Sequence, residues 1–243
     1  MQGNKINGVR APFIIVFGFF SCYDFTRMQI SWNGLSSFEI LTKTPNGDVH
    51  IVTDPYQNTT GLRFPRTLQA ELVLVSHDEE DANNTEAVMG EPYVIDLPGE
   101  FEVKSIFVFG ISAPLKREIK GIPIPNLLFR IEAEGMRLAH LGALDRALTD
   151  DELQRLEHVD VLMIPVGGGR VMDPEIASEV ISQIEPRVII PMTHALPLMK
   201  ENFGTIDAFC HALGSCRRED VNKYKFTRKE LPEEDMLIVS LTR

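Results

Sequence analysis

The run Val75-Ser76-His77-Asp78-Glu79-Glu80-Asp81-Ala82-Asn83-Asn84 sets one imidazole beside four carboxylates, directly after the apolar stretch Leu72-Val73-Leu74-Val75. An imidazole nitrogen and carboxylate oxygens are the donors of many zinc, iron and manganese centres. In an extended segment residues 77 and 79 point the same way, and Glu has a reach close to that of His. The run therefore reads as a metal-binding motif. A carboxylate among its donors shifts the preference from zinc towards manganese or iron. The same residues also suit a polar cluster without metal, or an acidic loop facing water, which is the common fate of a charge run.

Other chemistry is thinner. Gly167-Gly168-Gly169 follows a strand pattern, yet neither the dinucleotide fingerprint nor the P-loop spacing is present, so it reads as a loop lining a site. No Gly-x-Ser-x-Gly elbow occurs, and no Cys stands in a nucleophile context. Asp54, just before Pro55, fits two readings: a carboxylate that orients a ligand His, or a turn residue. His50, His158 and His211 read as structural or surface residues.

The 243 residues suit one large domain or two small ones. With 24 basic and 35 acidic residues the net charge is -11, which makes nucleic acid and anionic membranes poor partners. The basic residues at 217–218 and 223–229 read as a solvated face. Cys22, Cys210 and Cys216 have no zinc or redox spacing, which points to free thiols in a reducing, cytoplasmic setting. Residues 1–27 form an extension in which Lys5 and Arg10 precede the apolar Ala11 to Phe20. That pattern is weakly signal-like and too short to span a membrane, which takes about 20 residues. A start at Met28 makes the extension non-native, and we expect one domain over 28–243.

Strand patterns dominate the first half. Residues 38–41 and 49–53 flank a turn at Pro45-Asn46-Gly47-Asp48, and 72–75, 93–96, 101–110, 127–132 and 136–141 follow. A capping box at Thr149-Asp150-Asp151-Glu152 opens a helix to about His158, and Asp173-Pro174 opens another to about Ile184. Strands at 159–165, 188–191 and 236–241 and a helix at 205–213 complete the pattern. Strands first and alternating strands and helices later suit an α/β (α+β) fold with two sheets back to back and helices outside.

The central run resembles the signature of the metallo-β-lactamase superfamily, His-x-His-x-Asp-His at a strand end, which stands here as His77-x-Glu79-x-Asp81-Ala82. Further markers are Gly34-x-Ser36-Ser37-Phe38, Thr53-Asp54-Pro55-Tyr56, Pro98-Gly99-Glu100-Phe101, His140-Leu141-Gly142, Pro165-Val166-Gly167-Gly168 and Pro191-Met192-x-His194. The likeness extends over about 28–243 and is nearest the small single-domain branch that includes ascorbate-6-phosphate lactonase. It implies a four-layer αββα sandwich with two metal ions at one edge. Carried over, the first ion takes His77, Glu79 and His140. The second takes Asp81, position 82 and His194, with an Asp at position 143 shared between the two. Position 82 is Ala and position 143 is Ala, so the second ion loses its holders.

What the resemblance then implies is at most one divalent metal (zinc, manganese or iron), or none. It implies a hydrolase acting on a small ester, lactone or phosphoester, with Asp81 as base and His194 stabilising an oxyanion. The competing expectation is a non-catalytic binding or interaction protein on the same scaffold. Either way the partner is a small molecule, with no nucleic acid and no membrane, and a homo-oligomer is compatible.

Overall fold

The computed structural model describes residues 27–214 and 216–243, so the readings made on 1–26, Cys22 included, lie outside the described residues. In chain order the first strands are β1 (Met28–Gly34), β2 (Ser37–Thr44), β3 (Gly47–Thr53), β4 (Leu72–Leu74), β5 (Tyr93–Ile95), β6 (Gly99–Val103), β7 (Ile106–Ser112), β8 (Glu118–Ile119) and β9 (Ile122–Pro123). Then come β10 (Leu127–Ala133), β11 (Met136–His140), β12 (Val161–Pro165), β13 (Val188–Met192), β14 (Arg218–Val221), β15 (Tyr224–Phe226) and β16 (Leu237–Leu241). The helices are α1 (Asp150–Arg155), α2 (Pro174–Ile184) and α3 (Ile206–Leu213).

Two sheets carry the fold, in the orders β15-β1-β2-β3-β4-β5 and β14-β16-β13-β12-β11-β10-β7-β6, with β8 and β9 as a separate ribbon. Period-two alternation decides which side chains meet between them. Ile30, Phe38, Ile51 and Leu74 of the first sheet pack on Val108, Phe129, Leu138, Met163 and Ile190 of the second. The next residues along, Leu128, Ala139, Leu162 and Ile189, face outward and are covered by Ala177, Val180 and Phe209 of the helices. A strand such as β12 is buried along its whole length, which explains its unbroken apolar run. The architecture is an αββα sandwich. Its layer over the first sheet is built from loop residues Tyr56, Phe64 and Leu68 and two short 3-10 turns.

Local sequence signals hold where their hydrogen bonds form. Thr149 accepts from the Glu152 N–H while the Glu152 carboxylate accepts from the Thr149 N–H, the reciprocal cap read from the sequence. The helix stops at Arg155, short of His158, whose backbone is left-handed at φ 56°. The single strand expected at 101–110 is instead the β6–β7 hairpin. Lys104 and Ser105 turn the chain with φ of 50° and 67°, a mirror-image turn without its usual Asn-Gly signature. The expectation of free thiols is also corrected: Cys210, within α3, is joined by a disulfide to Cys216, just past the helix. Among the described residues no helix is long and apolar enough to cross a membrane.

Candidate metal centre

β4 delivers the acidic run to the edge of the sandwich, and a turn shapes it. The Ala82 and Asn83 N–H groups donate to the Glu79 carbonyl at 2.9 and 3.1 Å, so residues 79–83 curl instead of running extended. The curl brings three donors together. His77 Nε2 lies 3.1 Å from Asp81 Oδ1 and 3.8 Å from Glu79 Oε2. Ligand atoms of His77, Glu79 and Asp81 all lie within 4.8 Å of one another, the one such His, Cys, Asp or Glu group found among the described residues.

The other face of His77 is fixed from behind. Asp54 is fully buried, with left-handed backbone at φ 39°, and its carboxylate accepts from the Ser76 N–H and from the Ser76 hydroxyl, both at 2.7 Å. That hydroxyl lies 2.8 Å from His77 Nδ1. With its one proton directed to Asp54, Ser76 Oγ accepts from the Nδ1–H. The two readings of Asp54 are thereby resolved towards an orienting carboxylate. His77 Nε2 and Asp81 Oδ1 then face each other as two lone pairs, and at 3.1 Å a proton or a metal ion must lie between them. Burial would lower the pKa of His77, but the hydrogen bond and charge of Asp81, with Asp54 and Glu79 behind them, raise it. For Asp81 burial would favour the neutral acid. His77 and Arg170 outweigh it and hold the carboxyl far below the usual range.

Arginines close the group from the far side. Arg170 Nη2 donates to Asp81 Oδ2 at 2.6 Å, its Nη1 stands 3.5 Å from Glu79 Oε2, and its Nε donates to Glu201 at 2.6 Å. Arg117 Nη2 donates to the same Glu79 oxygen at 3.0 Å, and Arg117 Nε holds the Arg170 carbonyl at 3.0 Å. Sequence reasoning passed over both arginines. The signal that could have found Arg170 is its position straight after three glycines, opposite an acidic run.

His140 and His194 do not join that group. His140, at the end of β11, is fully buried, and its two ring nitrogens are occupied by backbone. The Gly142 N–H donates to Nδ1 at 3.2 Å, so Nε2 carries the proton and donates to the Ser36 carbonyl at 2.8 Å. Burial, partly opposed by Asp54 at 3.8 Å, lowers its pKa and keeps it neutral. The donor set His77, Glu79 and His140 is therefore not assembled here, because His140 has no lone pair to offer. Asp81 stands in its place beside the other two.

His194 follows β13, its ring 4.6 Å from that of Trp32. Its Nδ1 lies 3.4 Å from the Ala195 carbonyl, which can only accept, so Nε2 is bare. That buried Nε2 has no hydrogen-bond partner, and burial lowers the pKa of the ring. Leu35, Asp54 and Thr193 all adopt left-handed backbone around these histidines. Such clustering of strain is typical of functional sites.

A family profile described as "Beta-lactamase superfamily domain" matches residues 29–193, more than half the chain. The chain belongs to the metallo-β-lactamase superfamily. A Thermotoga maritima protein of that superfamily, described as a zinc-dependent hydrolase, has a crystal structure that matches with 30% identity and a TM-score of 0.71, over 89% of this chain and 100% of that one. A metal-dependent hydrolase of Thermoplasma acidophilum is 23% identical over 190 residues, 68% of this chain and 83% of its own length. At 19% identity and a TM-score of 0.56, a metallo hydrolase of Ignicoccus hospitalis shares the fold over 78% of this chain and 91% of its own.

The metals of this superfamily fit the residues unequally. The positions that would serve a second ion hold buried Ala82 and Ala143, and Asp81 is bound to a guanidinium. A second ion does not fit. The donor set of His77, Glu79 and Asp81, with its ligand atoms within 4.8 Å of one another, does fit one ion.

Proposed function

We propose that residues 28–243 form a metal-dependent hydrolase domain with one divalent ion, held by His77, Glu79 and Asp81. The observation that carries this reading is the 3.1 Å approach of His77 Nε2 to Asp81 Oδ1 inside a group of three ligand atoms. When bound, a divalent ion of this kind supplies Lewis-acid polarisation of a carbonyl or phosphoryl group. The class of substrate is a small ester, lactone or phosphoester, and manganese, iron or zinc is the ion.

The side chains divide the remaining work. Asp54 and Ser76 hold the His77 ring in one tautomer. Asp81, expected as the base, is poorly suited to it: a carboxyl held so acidic by His77 and Arg170 takes up a proton weakly. Its role is to anchor the ion. His194, expected to stabilise an oxyanion, presents a bare Nε2 without a hydrogen-bond partner, which cannot donate the hydrogen bond that role needs. A hollow of about 460 Å³ borders the His77 loop, walled by Val94, Leu97 and Leu127 with Asp78, Asn83 and Asn126 as polar points, a size suited to a small molecule.

The second reading, a binding protein without catalysis, is favoured by one observation: Arg117 and Arg170 already balance the charge of Glu79 and Asp81. Hydrolysis assays on a panel of esters, lactones and phosphodiesters with added manganese, iron or zinc separate the two. We expect metal-stimulated turnover that His77→Ala abolishes. No turnover with any of the three metals would support the binding protein.

A further inference from the structure

We infer that Arg170 is a built-in cation that takes the charge-balancing part of the second metal ion, so that its guanidinium and a divalent ion compete for the carboxylates of Asp81 and Glu79. The inference rests on the reading of His77, Glu79 and Asp81 as a cation site. Four observations support it. The first is occupancy: all three Arg170 nitrogens are engaged with acids, on Asp81 at 2.6 Å, on Glu201 at 2.6 Å and towards Glu79 at 3.5 Å. A guanidinium keeps its charge at any ordinary pH and binds carboxylates through a rigid fork, so it is a permanent counter-ion for this site.

The second observation is the backbone that aims it. Gly168 and Gly169 are both left-handed, at φ 70° and 69°, which reverses the chain directly after β12. A Cβ on Gly167 would stand 2.1 Å from the Thr193 carbonyl, and one on Gly168 would stand 2.7 Å from the Asp173 carboxylate. The loop is packed around Gly167 and Gly168, and Arg117 Nε ties down the Arg170 carbonyl. The third is burial: the Asp81 side chain is only 5% exposed, a place where an unbalanced carboxylate is costly. The fourth is the loss of donors: Ala82 and Ala143 are small, apolar and buried, so the two positions could not hold an ion that Arg170 makes redundant. Absent donors at 82 and 143 and a guanidinium on the Asp81 carboxylate are complementary features of the site. The cost to the remaining site is repulsion, since an ion on Asp81 Oδ1 has a guanidinium on the other oxygen of the same carboxylate.

The test uses the full chain with manganese chloride alone as probe. Mn²⁺ affinity is measured by titration, and thermal unfolding is followed in chelator and in Mn²⁺. Arg170→Gln should bind Mn²⁺ at least about tenfold more tightly than the unaltered chain, the effect of removing a like charge a few ångströms away. It should melt lower in chelator and regain stability when Mn²⁺ is added. Arg170→Lys should remain near the unaltered chain. Glu201→Gln, which removes an exposed acid that draws one arm of Arg170 away, should leave the guanidinium freer to hold Asp81 and Glu79 and so weaken Mn²⁺ binding by a smaller factor, and it decides the matter if Arg170→Gln does not fold.

Equal affinity of the unaltered chain and Arg170→Gln would overturn the inference and leave the one-ion reading standing. Binding by Arg170→Gln alone would support the inference while removing the one-ion reading for the native chain. No binding by either would overturn both.

Discussion

The ends of β4 and β11 each place a buried histidine at the edge of the sandwich, within reach of the same Asp54 network, and they do opposite things with it. His77 has one nitrogen bonded to Ser76 and the other left facing the carboxylates of Asp81 and Glu79. His140 has one nitrogen on the Ser36 carbonyl and the other on the Gly142 N–H. The two residues have identical donor chemistry. What separates them is the neighbouring backbone: a carbonyl and an amide complete the valences of His140, whereas a hydroxyl completes half of His77. Ligand capacity is a property of the unfilled nitrogen, not of the residue type.

Breaking the shared support should give the largest effect. Asp54→Ala would strip the Ser76 N–H and hydroxyl of their buried acceptor, and we expect a loss of roughly 3 kcal/mol or more in chemical unfolding. Asp54→Asn keeps an acceptor and tolerates the φ of 39°, so about 1 kcal/mol is expected. A milder Ala variant would mean that Asp54 does not hold Ser76 and, through it, His77. Next comes the loop that carries Arg170. Gly167→Ala forces a methyl group against the Thr193 carbonyl, and about 2–4 kcal/mol should be lost with weaker ordering of the Arg170–Asp81 pair. Unchanged stability would show that the loop has room to shift.

The smallest effect belongs to a region remote from both histidines. Glu152 closes the α1 cap and pairs with Arg146 at 2.7 Å. Burial would raise its pKa, but Arg146 and the Thr149 N–H outweigh burial and lower it. A lowered acid stabilises the fold above the ordinary Glu value, and that stability disappears as pH falls through the folded value. Glu152→Gln should therefore cost about 1 kcal/mol near neutral pH and progressively less in acid. A gap that widened in acid would reverse the sign of the argument.

How much of this was legible in the sequence follows from the range of each interaction. Alternating and continuous apolar runs located the strands, because burial acts on local pattern, and the αββα sandwich came from the ordered markers. Those markers turn out to be anchors: Ser36 accepts from His140 and Thr53, Asp54 from Ser76, and Thr193 pairs with Ser36. The run from His77 to Asp81 was legible as donors, although a turn, not extended alternation, brings them together. Three long-range contacts were not legible. The valences of His140 are filled by a carbonyl 104 residues away, Asp81 meets Arg170 across 89 residues, and Arg117 meets Glu79 across 38. Such pairs depend on which loops the two sheets bring to one edge, and no local spacing encodes them. The Lys104-Ser105 turn was missed for a different reason, since neither residue carries the usual preference for positive φ.

The most direct test counts Mn²⁺ ions bound per chain, by mass spectrometry after equilibrium dialysis, for the unaltered chain, His77→Ala and His140→Gln. The account predicts one ion in the unaltered chain, none in His77→Ala and one in a folded His140→Gln, whose amide can still serve Ser36 and Gly142. Two ions in the unaltered chain, or an ion lost with His140 and kept without His77, would contradict it.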